Sequence, residues 1–299
     1  MKIGYPCINR TIDCTCSSTF RLKSYSKKNL IEKIDGNLDC LKRILEFNVD
    51  YGIYFFRISS DLVPFASHDI IDYDWAEHFQ SRFAEIGRFI INNDIRISMH
   101  PDQFIVLNSK KEDVYQRSVK ELLYHCQVLN LLGIDSTAKI QLHVGGVYGE
   151  REKSKERFVE RYLDLDQEIR NRLVIENDDK SYTVEDCLDL NEKTGVPILF
   201  DYFHHGLNNR GMELTAVLDE VSNTWGKKDG KPMYDYSSQM PGERKGRHTE
   251  HIDVDDFKRF LEESKNHEFD LMLEIKDKEK SAIEASNIIK KSGLRRVRK

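Results

Sequence analysis

The sequence predicts a single (β/α)8 barrel of the TIM type, with its active site at the carboxyl ends of the strands. Two observations lead to this class: eight short runs rich in β-branched and aromatic residues, and a longer amphipathic stretch after each run. Strands that alternate with helices form a parallel sheet, and eight such units close a barrel. Because no Pro- or Ser-rich linker divides the 299 residues, we expect one domain over residues 1–299.

The elements follow one another in a regular order. The strand runs cover residues 2–5, 52–58, 95–99, 140–144, 173–175, 197–200, 233–236 and 271–275. The helical runs carry apolar residues at i, i+3 and i+4, which gives each helix a face that packs on the sheet. They cover residues 30–47, 75–91, 114–132, 152–169, 184–193, 214–221, 254–261 and 282–289. Gly133, Gly195 and Gly293 stand where C-caps are expected, and residues 294–299 form a basic, solvated tail.

Composition excludes several classes of protein. No run approaches the ~20 apolar residues that cross a bilayer, and the start of the chain lacks the apolar core of a signal peptide. We therefore expect no membrane partner and a cytoplasmic location. The six cysteines fit no zinc ribbon, which predicts reduced thiols. A formal net charge of -5 leaves a DNA partner open, because recognition depends on where the positive charge lies.

Imidazoles and carboxylates follow most of the predicted strands. The ends of strands three to eight supply His100, His143, Glu176, Asp201 with His204, Asp235 and Glu274, and His248 lies in the loop after strand seven. The carboxyl ends of barrel strands converge on one open mouth. So many ionisable groups there would repel one another or lack partners unless cations neutralised them. The pattern therefore predicts a metal site.

The ligand types indicate the chemistry of this site. A mixture of imidazoles and carboxylates suits Mn²⁺, Zn²⁺ or Fe²⁺, and the absence of cysteine from the set disfavours a closed structural zinc site. Seven or eight ligands exceed the needs of one ion, so we expect two or three divalent ions with Glu176 as a bridge. Clustered divalent ions activate water and stabilise the oxygens that enter and leave in a phosphoryl displacement. Phosphodiester hydrolysis is the predicted reaction.

Segments along nearly the whole chain carry a resemblance to a known family. They are GYP at 4–6 with Asn9, RISSD at 57–61, PFASH at 64–68, HPDQF at 100–104, LHVGG at 142–146, IENDD at 175–179, FDYFHH at 200–205, YSSQ at 236–239, GRH at 246–248 and LEIK at 273–276. The chain thereby resembles the UV-damage endonuclease family, which is related to the endonuclease IV type of abasic-site nuclease. The resemblance implies a TIM barrel with up to three divalent ions, manganese first, with zinc and magnesium as alternatives. It also implies nicking of damaged double-stranded DNA immediately 5′ to cyclobutane pyrimidine dimers, 6-4 photoproducts and abasic sites.

The resemblance also assigns the ligands to ions. It places His100, His143 and Glu176 at the first ion, Glu176, Asp201, His248 and Glu274 at the second, and His204 with residues of the seventh strand at the third. On that strand the family commonly has a lysine and a histidine, where this chain has Met233 and Asp235. Aspartate can replace an imidazole as a hard ligand, whereas methionine cannot replace lysine. This departure from the family pattern therefore affects the site of the third ion.

Substrate contacts are expected on the same face. The resemblance implies that Gln103 and Phe104 enter the base stack, with Phe104 where a tyrosine is more usual. Tyr5 and Asn9 are expected to contact the lesion, and His68 to support the site by hydrogen bonding. Two basic clusters are expected to follow the DNA phosphates. They are Arg10, Arg21, Lys23, Lys27 and Lys28, and Lys227, Lys228, Lys231, Arg244, Lys245 and Arg247.

Two other functions compete with this interpretation. A sugar isomerase or epimerase uses the same barrel and a similar metal set, but it needs a narrow pocket for a small polyol. A protein that only binds damaged DNA would leave the full ligand set unexplained. The basic loops and the Gln103-Phe104 pair favour the nuclease, which we expect to act as a monomer.

Overall fold

Eight short parallel strands form the centre of the structure, a computed structural model that describes residues 1–292. The strands are β1 (Ile3–Pro6), β2 (Phe55–Ile58), β3 (Arg96–Met99), β4 (Lys139–His143), β5 (Leu173–Glu176), β6 (Ile198–Asp201), β7 (Met233–Tyr236) and β8 (Asp270–Leu273). Each strand pairs with its neighbour in the chain, and β8 pairs with β1, so the sheet closes. The predicted (β/α)8 barrel is confirmed.

Helices surround the sheet. They are α1 (Lys27–Asp50), α2 (Trp75–Asn92), α3 (Glu112–Leu131), α4 (Arg151–Asp164), α5 (Gln167–Arg172), α6 (Val184–Thr194), α7 (Tyr202–Leu207), α8 (Leu214–Asn223), α9 (Val254–Glu263) and α10 (Glu279–Ser292). The predicted helix at 152–169 is two helices, because Leu165 adopts an extended conformation and Asp166 starts a new helix. The short helix α7 was not predicted. It begins directly after β6, where the Asp201 side chain accepts a hydrogen bond from the backbone N–H of His204.

The strand interiors divide the barrel into an apolar layer and a polar end. Alternate strand residues point inward, and five of them form a small apolar cluster, namely Phe55, Val174, Leu199, Met233 and Met272. Ion pairs lie towards the amino ends of the strands, including Arg96–Asp270 at 2.8 Å and Lys139–Asp229 at 2.6 Å. The outward-facing strand residues pack against the helices in the main core. The remaining inward-facing polar residues therefore gather at the carboxyl end.

The loop after β1 is fixed to α1 by a disulfide between Cys14 and Cys40, whose Cα atoms lie 5.8 Å apart. The prediction that all six cysteines are reduced thiols is therefore wrong for this pair, although the other four are free. The loop folds back on the helix, where the backbone N–H of Ser18 donates to Asn37 Oδ1 at 2.8 Å. The spacing of the cysteines in the sequence does not predict that Cys14 and Cys40 lie next to each other.

Two expectations concern membranes and the chain end. Within residues 1–292, no helix combines the length and the apolar character that a membrane crossing requires. The expected C-cap at Gly293 and the basic tail at 294–299 lie outside the described residues.

Candidate metal centre

A cavity of about 790 Å³ opens at the carboxyl ends of the strands. His100, His143 and Glu274 reach it from β3, β4 and β8, and His248 reaches it from the loop after β7. Glu176 and Asp201 lie at the ends of β5 and β6 and are almost fully buried. The barrel thus brings the predicted ligands to one place.

Three overlapping groups could each hold a metal ion, with one ligand atom per residue and all atoms of a group within 4.8 Å of one another. They are His100, His143 and Glu176; Glu176, Asp201 and His204; and Asp201, Asp235 and Glu274. Glu176 belongs to the first two groups, and Asp201 belongs to the last two. This sharing is the arrangement that a cluster of neighbouring ions needs.

Backbone carbonyls orient two of the imidazoles. The Nδ1 atom of His100 donates to the carbonyl of Pro101, and that of His248 donates to the carbonyl of Glu274, each at 2.8 Å. A proton held on Nδ1 leaves Nε2 with a free lone pair, which is the form that binds metals. His100 Nε2 lies 3.6 Å from Glu176 Oε2, and His143 Nε2 lies 3.8 Å from the same oxygen. Ligands about 2.1 Å from one ion have a comparable separation of roughly 3–3.5 Å.

Two buried polar atoms of the candidate ligands have no hydrogen-bond partner within residues 1–292. They are Asp201 Oδ2 and His143 Nδ1. Asp201 Oδ2 has an ion pair with His204 Nδ1 at 3.3 Å but lacks the hydrogen bond that buried polar atoms nearly always have. A bound cation would be a further partner for this oxygen, and the imidazole and carboxylate donors suit Mn²⁺ or Zn²⁺. The residues therefore fit the predicted divalent ions.

The ionisation of the centre also indicates a surplus of negative charge. Burial lowers the pKa of His100 to about 4, so its ring is neutral near pH 7. Burial, with the charges of Glu176 and Glu274, raises the pKa of Asp201 to about 6. Burial lowers the pKa of His204, but Asp201 and Glu176 outweigh it and raise that pKa to about 11. Divalent cations at this position would relieve the repulsion among these carboxylates.

Arg57 and Gln141 belong to the centre, although the pattern of strand ends did not predict them. Arg57 is 2% exposed and donates to both carboxylate oxygens of Asp235, at 2.7 and 2.9 Å, and also to Glu274. Gln141 accepts from Arg57 at 2.6 Å and donates to Glu176 at 2.5 Å and to Asp235 at 2.7 Å. Both are inward-facing polar residues in the middle of strands. Strict alternation along β2 and β4 is the signal that could have identified them.

The seventh strand places its two unusual residues at different depths. Met233, at the start of β7, packs in the apolar layer, away from the carboxyl end. Asp235 faces the centre, but the guanidinium of Arg57 and the amide of Gln141 already contact its carboxylate. Burial, together with nearby carboxylates, raises the pKa of Asp235 against the pull of Arg57. Asp235 is thus both a candidate ligand and the partner of a buried cation.

The structure places Tyr5 and Asn9 in buried, hydrogen-bonded positions near the loop after β1. Tyr5 is fully buried, and its hydroxyl donates to Asn48 Oδ1 at 2.6 Å. Asn9 is 4% exposed, donates to the Tyr5 hydroxyl, and accepts from the backbone N–H of Thr11. The polar groups of Tyr5 and Asn9 thus bond to other groups of the protein, and these bonds fix the loop after β1 against α1.

His68 also lies away from the candidate ligands. It is exposed in the loop after β2, where its Nδ1 accepts from the backbone N–H of Ile70 at 3.0 Å. It does not line the metal cavity. Arg57 on β2 and His68 in the loop after β2 are close in sequence, but only the first belongs to the centre.

Some of the predicted DNA contacts line the cavity. Gln103 and Arg247 line it, and Arg247 forms an ion pair with Glu243 at 2.9 Å. Phe104 is 67% exposed beside them. Part of the second basic cluster was placed wrongly, because Lys227, Lys228 and Lys231 precede β7 and lie towards the amino end of the barrel. Arg244 and Arg247 follow β7 and line the cavity, and Lys276 and Lys278 join them from the loop after β8.

The closed barrel and the imidazoles and carboxylates clustered at its carboxyl end define the class of this protein. It is a (β/α)8 barrel with a candidate multinuclear metal centre. Comparison with known families makes the class specific. Residues 1–298 match the model of the family described as UV-endonuclease UvdE, and the chain belongs to that family.

Relatives of known name support this membership. A UV DNA damage endonuclease from Clostridium perfringens (strain 13 / Type A) is 40% identical over 292 residues, which are 97% of this chain and 71% of the relative. A UV DNA damage endonuclease from Bacillus cereus (strain G9842) is 34% identical over 289 residues, which are 93% of this chain and 91% of the relative.

Solved structures agree with the fold. The crystal structure of SacUVDE superposes with a TM-score of 0.94 and 43% identity, and the match covers 99% of this chain and 100% of that one. D-psicose 3-epimerase from Clostridium cellulolyticum H10 superposes with a TM-score of 0.55 and 13% identity, over 84% of this chain and 92% of that one. At that identity the second likeness shows a shared barrel and nothing further.

Proposed function

We propose that this protein is a DNA-repair endonuclease that hydrolyses the phosphodiester bond immediately 5′ to cyclobutane pyrimidine dimers and 6-4 photoproducts, and also acts at abasic sites. Family membership and the names of the relatives support an endonuclease that acts on UV-damaged DNA. The observation that carries the proposal is the set of three overlapping ligand groups beneath an open cavity with arginine and lysine in its wall.

Two or three divalent ions are proposed as cofactors, with manganese first and zinc or magnesium as alternatives. The residues proposed to hold them are His100, His143, Glu176, Asp201, His204, Asp235, His248 and Glu274. When bound, such ions supply a water of lowered pKa and stabilise the entering and leaving oxygens of the displaced phosphate. Arg57 already pairs with Asp235, so a metal ion would compete with this guanidinium for the Asp235 carboxylate.

The other residues position the centre and the DNA. The carbonyls of Pro101 and Glu274 hold His100 and His248 with their Nε2 atoms free for a metal. Gln141 fixes the carboxylate of Glu176 by donating to it. On the surface, Gln103 and Phe104 are proposed to enter the base stack at the weakened, damaged step. Arg247 is proposed to contact a DNA phosphate.

The proposed substrate is damaged double-stranded DNA, and the proposed active species is a monomer in the cytoplasm. A sugar epimerase remains the alternative because the barrel is shared. However, Arg244, Arg247 and Lys276 line the cavity, and a small neutral polyol offers no phosphates for these cations to bind. The cavity wall therefore favours DNA.

The test uses end-labelled duplexes that each carry one dimer, one 6-4 photoproduct or one abasic site. With Mn²⁺, the protein should nick each damaged strand directly 5′ to the lesion and leave undamaged DNA intact. Glu176→Gln should abolish nicking and lower the metal content per chain while the fold is retained, because Glu176 belongs to two of the three ligand groups. Glu192→Gln, on the exposed side of α6, is the matched control and should behave as the unmodified protein.

Each negative outcome has a distinct meaning. Normal nicking by Glu176→Gln would overturn the metal assignment. Tight binding of the unmodified protein to an intact UV-irradiated duplex, with Mn²⁺ present, would overturn the enzyme and favour a damage-binding protein.

A further inference from the structure

Lys278 is a half-buried lysine in the wall of the metal cavity, in the loop between β8 and α10. The candidate ligand Glu274 lies earlier in the same loop, and α10 begins at the next residue, Glu279. Two bonds fix the backbone of Lys278. Its N–H donates to the carbonyl of Ile275 at 3.2 Å, and its carbonyl accepts from the N–H of Ala282 at 3.1 Å. The loop therefore holds this lysine in one position at the cavity.

The backbone of Lys278 adopts a left-handed conformation, with a φ of 58°. This region is unfavourable for a residue that has a β carbon, and glycine is the usual choice there. Cys7, directly after β1, has a φ of 69° and also lines the cavity. Residues in such conformations gather at active sites and ligand clamps. Two of them in one cavity wall indicate that this wall has a function that outweighs the strain.

The ammonium group of Lys278 lacks a counter-ion. Within residues 1–292 it forms no hydrogen bond and no ion pair. Glu274 is close enough to interact with it electrostatically, but Arg57 already pairs with the Glu274 carboxylate. Cys7 also lies within electrostatic range, yet burial raises the pKa of its thiol, which keeps this neighbour neutral. A half-buried cation of this kind is stabilised when an anion joins it.

The other arginines and lysines of the cavity wall are paired or exposed. Arg57, Arg247 and Lys276 each form an ion pair within the protein. Arg244 is exposed in the loop after β7. Among the described residues that line this cavity, Lys278 is thus the half-buried cation whose charge is available to a ligand.

The position of Lys278 suits a phosphate group. In TIM barrels, the loops after strands seven and eight frequently bind phosphates. An ammonium group has three donors and no acceptor, so it binds anions as a compact charge. Arg10, exposed in the loop after β1, lies near enough to repel Lys278. An anion at Lys278 would therefore be attracted by both cations.

We propose that Lys278 binds the phosphate group at the cleavage site, the one whose ester bond is hydrolysed at the metal centre. This inference rests on the proposed function, because it takes the damaged strand to cross the metal cavity. Glu274 is a proposed metal ligand within electrostatic range of Lys278, so the lysine stands beside the place where the reacting phosphate must lie. Its charge stabilises that phosphate without belonging to the ligand set.

The test uses three duplexes that imitate the product, each with a thymine dimer and a nick immediately 5′ to it. One duplex carries a phosphate on the 5′ end at the nick, one carries it on the 3′ end, and one carries none. Because the strand is already cut, binding can be measured by fluorescence anisotropy with Mn²⁺ present. The unmodified protein should bind one of the phosphate-bearing duplexes more tightly than the phosphate-free duplex.

Lys278→Met keeps the length of the side chain and removes its charge. It should reduce this preference for phosphate by about tenfold or more, the loss expected for a charged hydrogen bond. It should bind the phosphate-free duplex as the unmodified protein does, whereas a purely structural role of Lys278 would weaken binding of all three duplexes. Lys278→Arg retains the charge and should keep part of the preference. Lys278→Gln carries the test if Lys278→Met does not fold.

The matched control is Lys280→Met, which makes the same charge change on the exposed first turn of α10, outside the cavity. It should keep the full preference for phosphate. If the unmodified protein prefers neither phosphate-bearing duplex, or if Lys278→Met retains the preference, Lys278 does not bind this phosphate. Selective loss in Lys278→Met supports the proposal. Nicking is assayed separately, and an intact dimer duplex left uncut by the unmodified protein would overturn the proposed function itself.

Discussion

Arg57 is the residue on which the charge balance inside the barrel most depends. It lies buried between the carboxylates of Asp235 and Glu274. Burial lowers its pKa, but these two carboxylates outweigh that effect and keep the guanidinium charged. In the metal-free protein it therefore serves as the central counter-ion of an acidic cluster. Removing one partner of a buried ion pair leaves an uncompensated charge, which costs more than the pair itself contributes.

This position leads to a stability prediction. Arg57→Met should lower the free energy of unfolding by about 3–5 kcal/mol in the presence of a chelator, because Asp235 loses its partner. In Arg57→Met/Asp235→Leu no charge of that pair stays buried, so the double variant should be less destabilised than the sum of the two single variants. Urea unfolding of all four proteins measures the coupling. Additivity within about 0.5 kcal/mol would show that the pair is not coupled.

The sequence predicted the outer ligands of the centre better than its inner contacts. His100, His143 and Glu274 could be located because a polar residue at the end of a strand must lie at the carboxyl end of the barrel. Arg57 and Gln141 lie inside strands, where their partners come from the far side of the barrel. Tyr5 looked like a surface contact, yet it bonds to Asn48, 43 positions away in the chain. Only the closed fold brings such partners together.

At the scale of elements, α3 is tied to β3 through one buried histidine. His125 is fully buried in α3, where its Nδ1 donates to the carbonyl of Glu121 at 2.7 Å and its Nε2 lies 3.2 Å from Ser60 Oγ. Ser60 in turn donates to the carbonyl of His100 at 2.8 Å. The position of a candidate ligand is thus connected to a helix on the outside of the barrel.

This histidine gives a prediction for pH dependence. Burial lowers the pKa of His125 to about 4, whereas an unfolded histidine titrates near 6.5. Between these values the unfolded chain binds the extra proton, so stability must rise with pH across the window and be lost as pH falls. In His125→Gln, the slope of unfolding free energy against pH should be smaller than in the unmodified protein by about 1.4 kcal/mol per pH unit between pH 4 and 6.5.

The measurement is a series of urea-unfolding curves at fixed ionic strength, with a chelator to exclude metal linkage. His251→Gln is the matched control, because His251 is exposed and forms its ion pair with Asp277 at the surface. Equal slopes for the unmodified protein and His125→Gln would show that His125 does not titrate abnormally.

Prediction of the elements from sequence was accurate for their order and weaker at their ends. Hydrophobic periodicity located all eight strands, but it joined α4 and α5 because apolar residues continue through Leu165 without a break. It also missed α7, whose six residues are too few to show a period. The side chain of Asp201 caps the start of α7 by accepting a hydrogen bond from the backbone N–H of His204. This bond positions His204, whose Nδ1 lies 3.2 Å from Glu176 Oε1.

For the whole molecule, the net charge of -5 conceals how the charges are distributed. Glu176, Asp201 and Asp235 are buried in the barrel, whereas Arg244, Arg247, Lys276 and Lys278 line the cavity above them. Divalent ions would reverse the local sign at the buried carboxylates. A chain with an acidic total can therefore present a positive surface to DNA at this one end.

This distribution predicts a specific salt dependence of DNA binding. The logarithm of the binding constant falls with the logarithm of salt concentration, with a slope of about -0.9 for each phosphate that a cation neutralises on duplex DNA. Arg244→Gln/Arg247→Gln should therefore weaken binding and reduce the size of the slope by about 1–2. Arg88→Gln/Lys258→Gln makes the same charge change on the exposed surfaces of α2 and α9 and should keep the original slope. Binding to a duplex that contains a thymine dimer is titrated in the presence of a chelator, so that the DNA stays intact. Equal salt-dependence slopes for the two double variants would refute a DNA-facing role for the loop after β7.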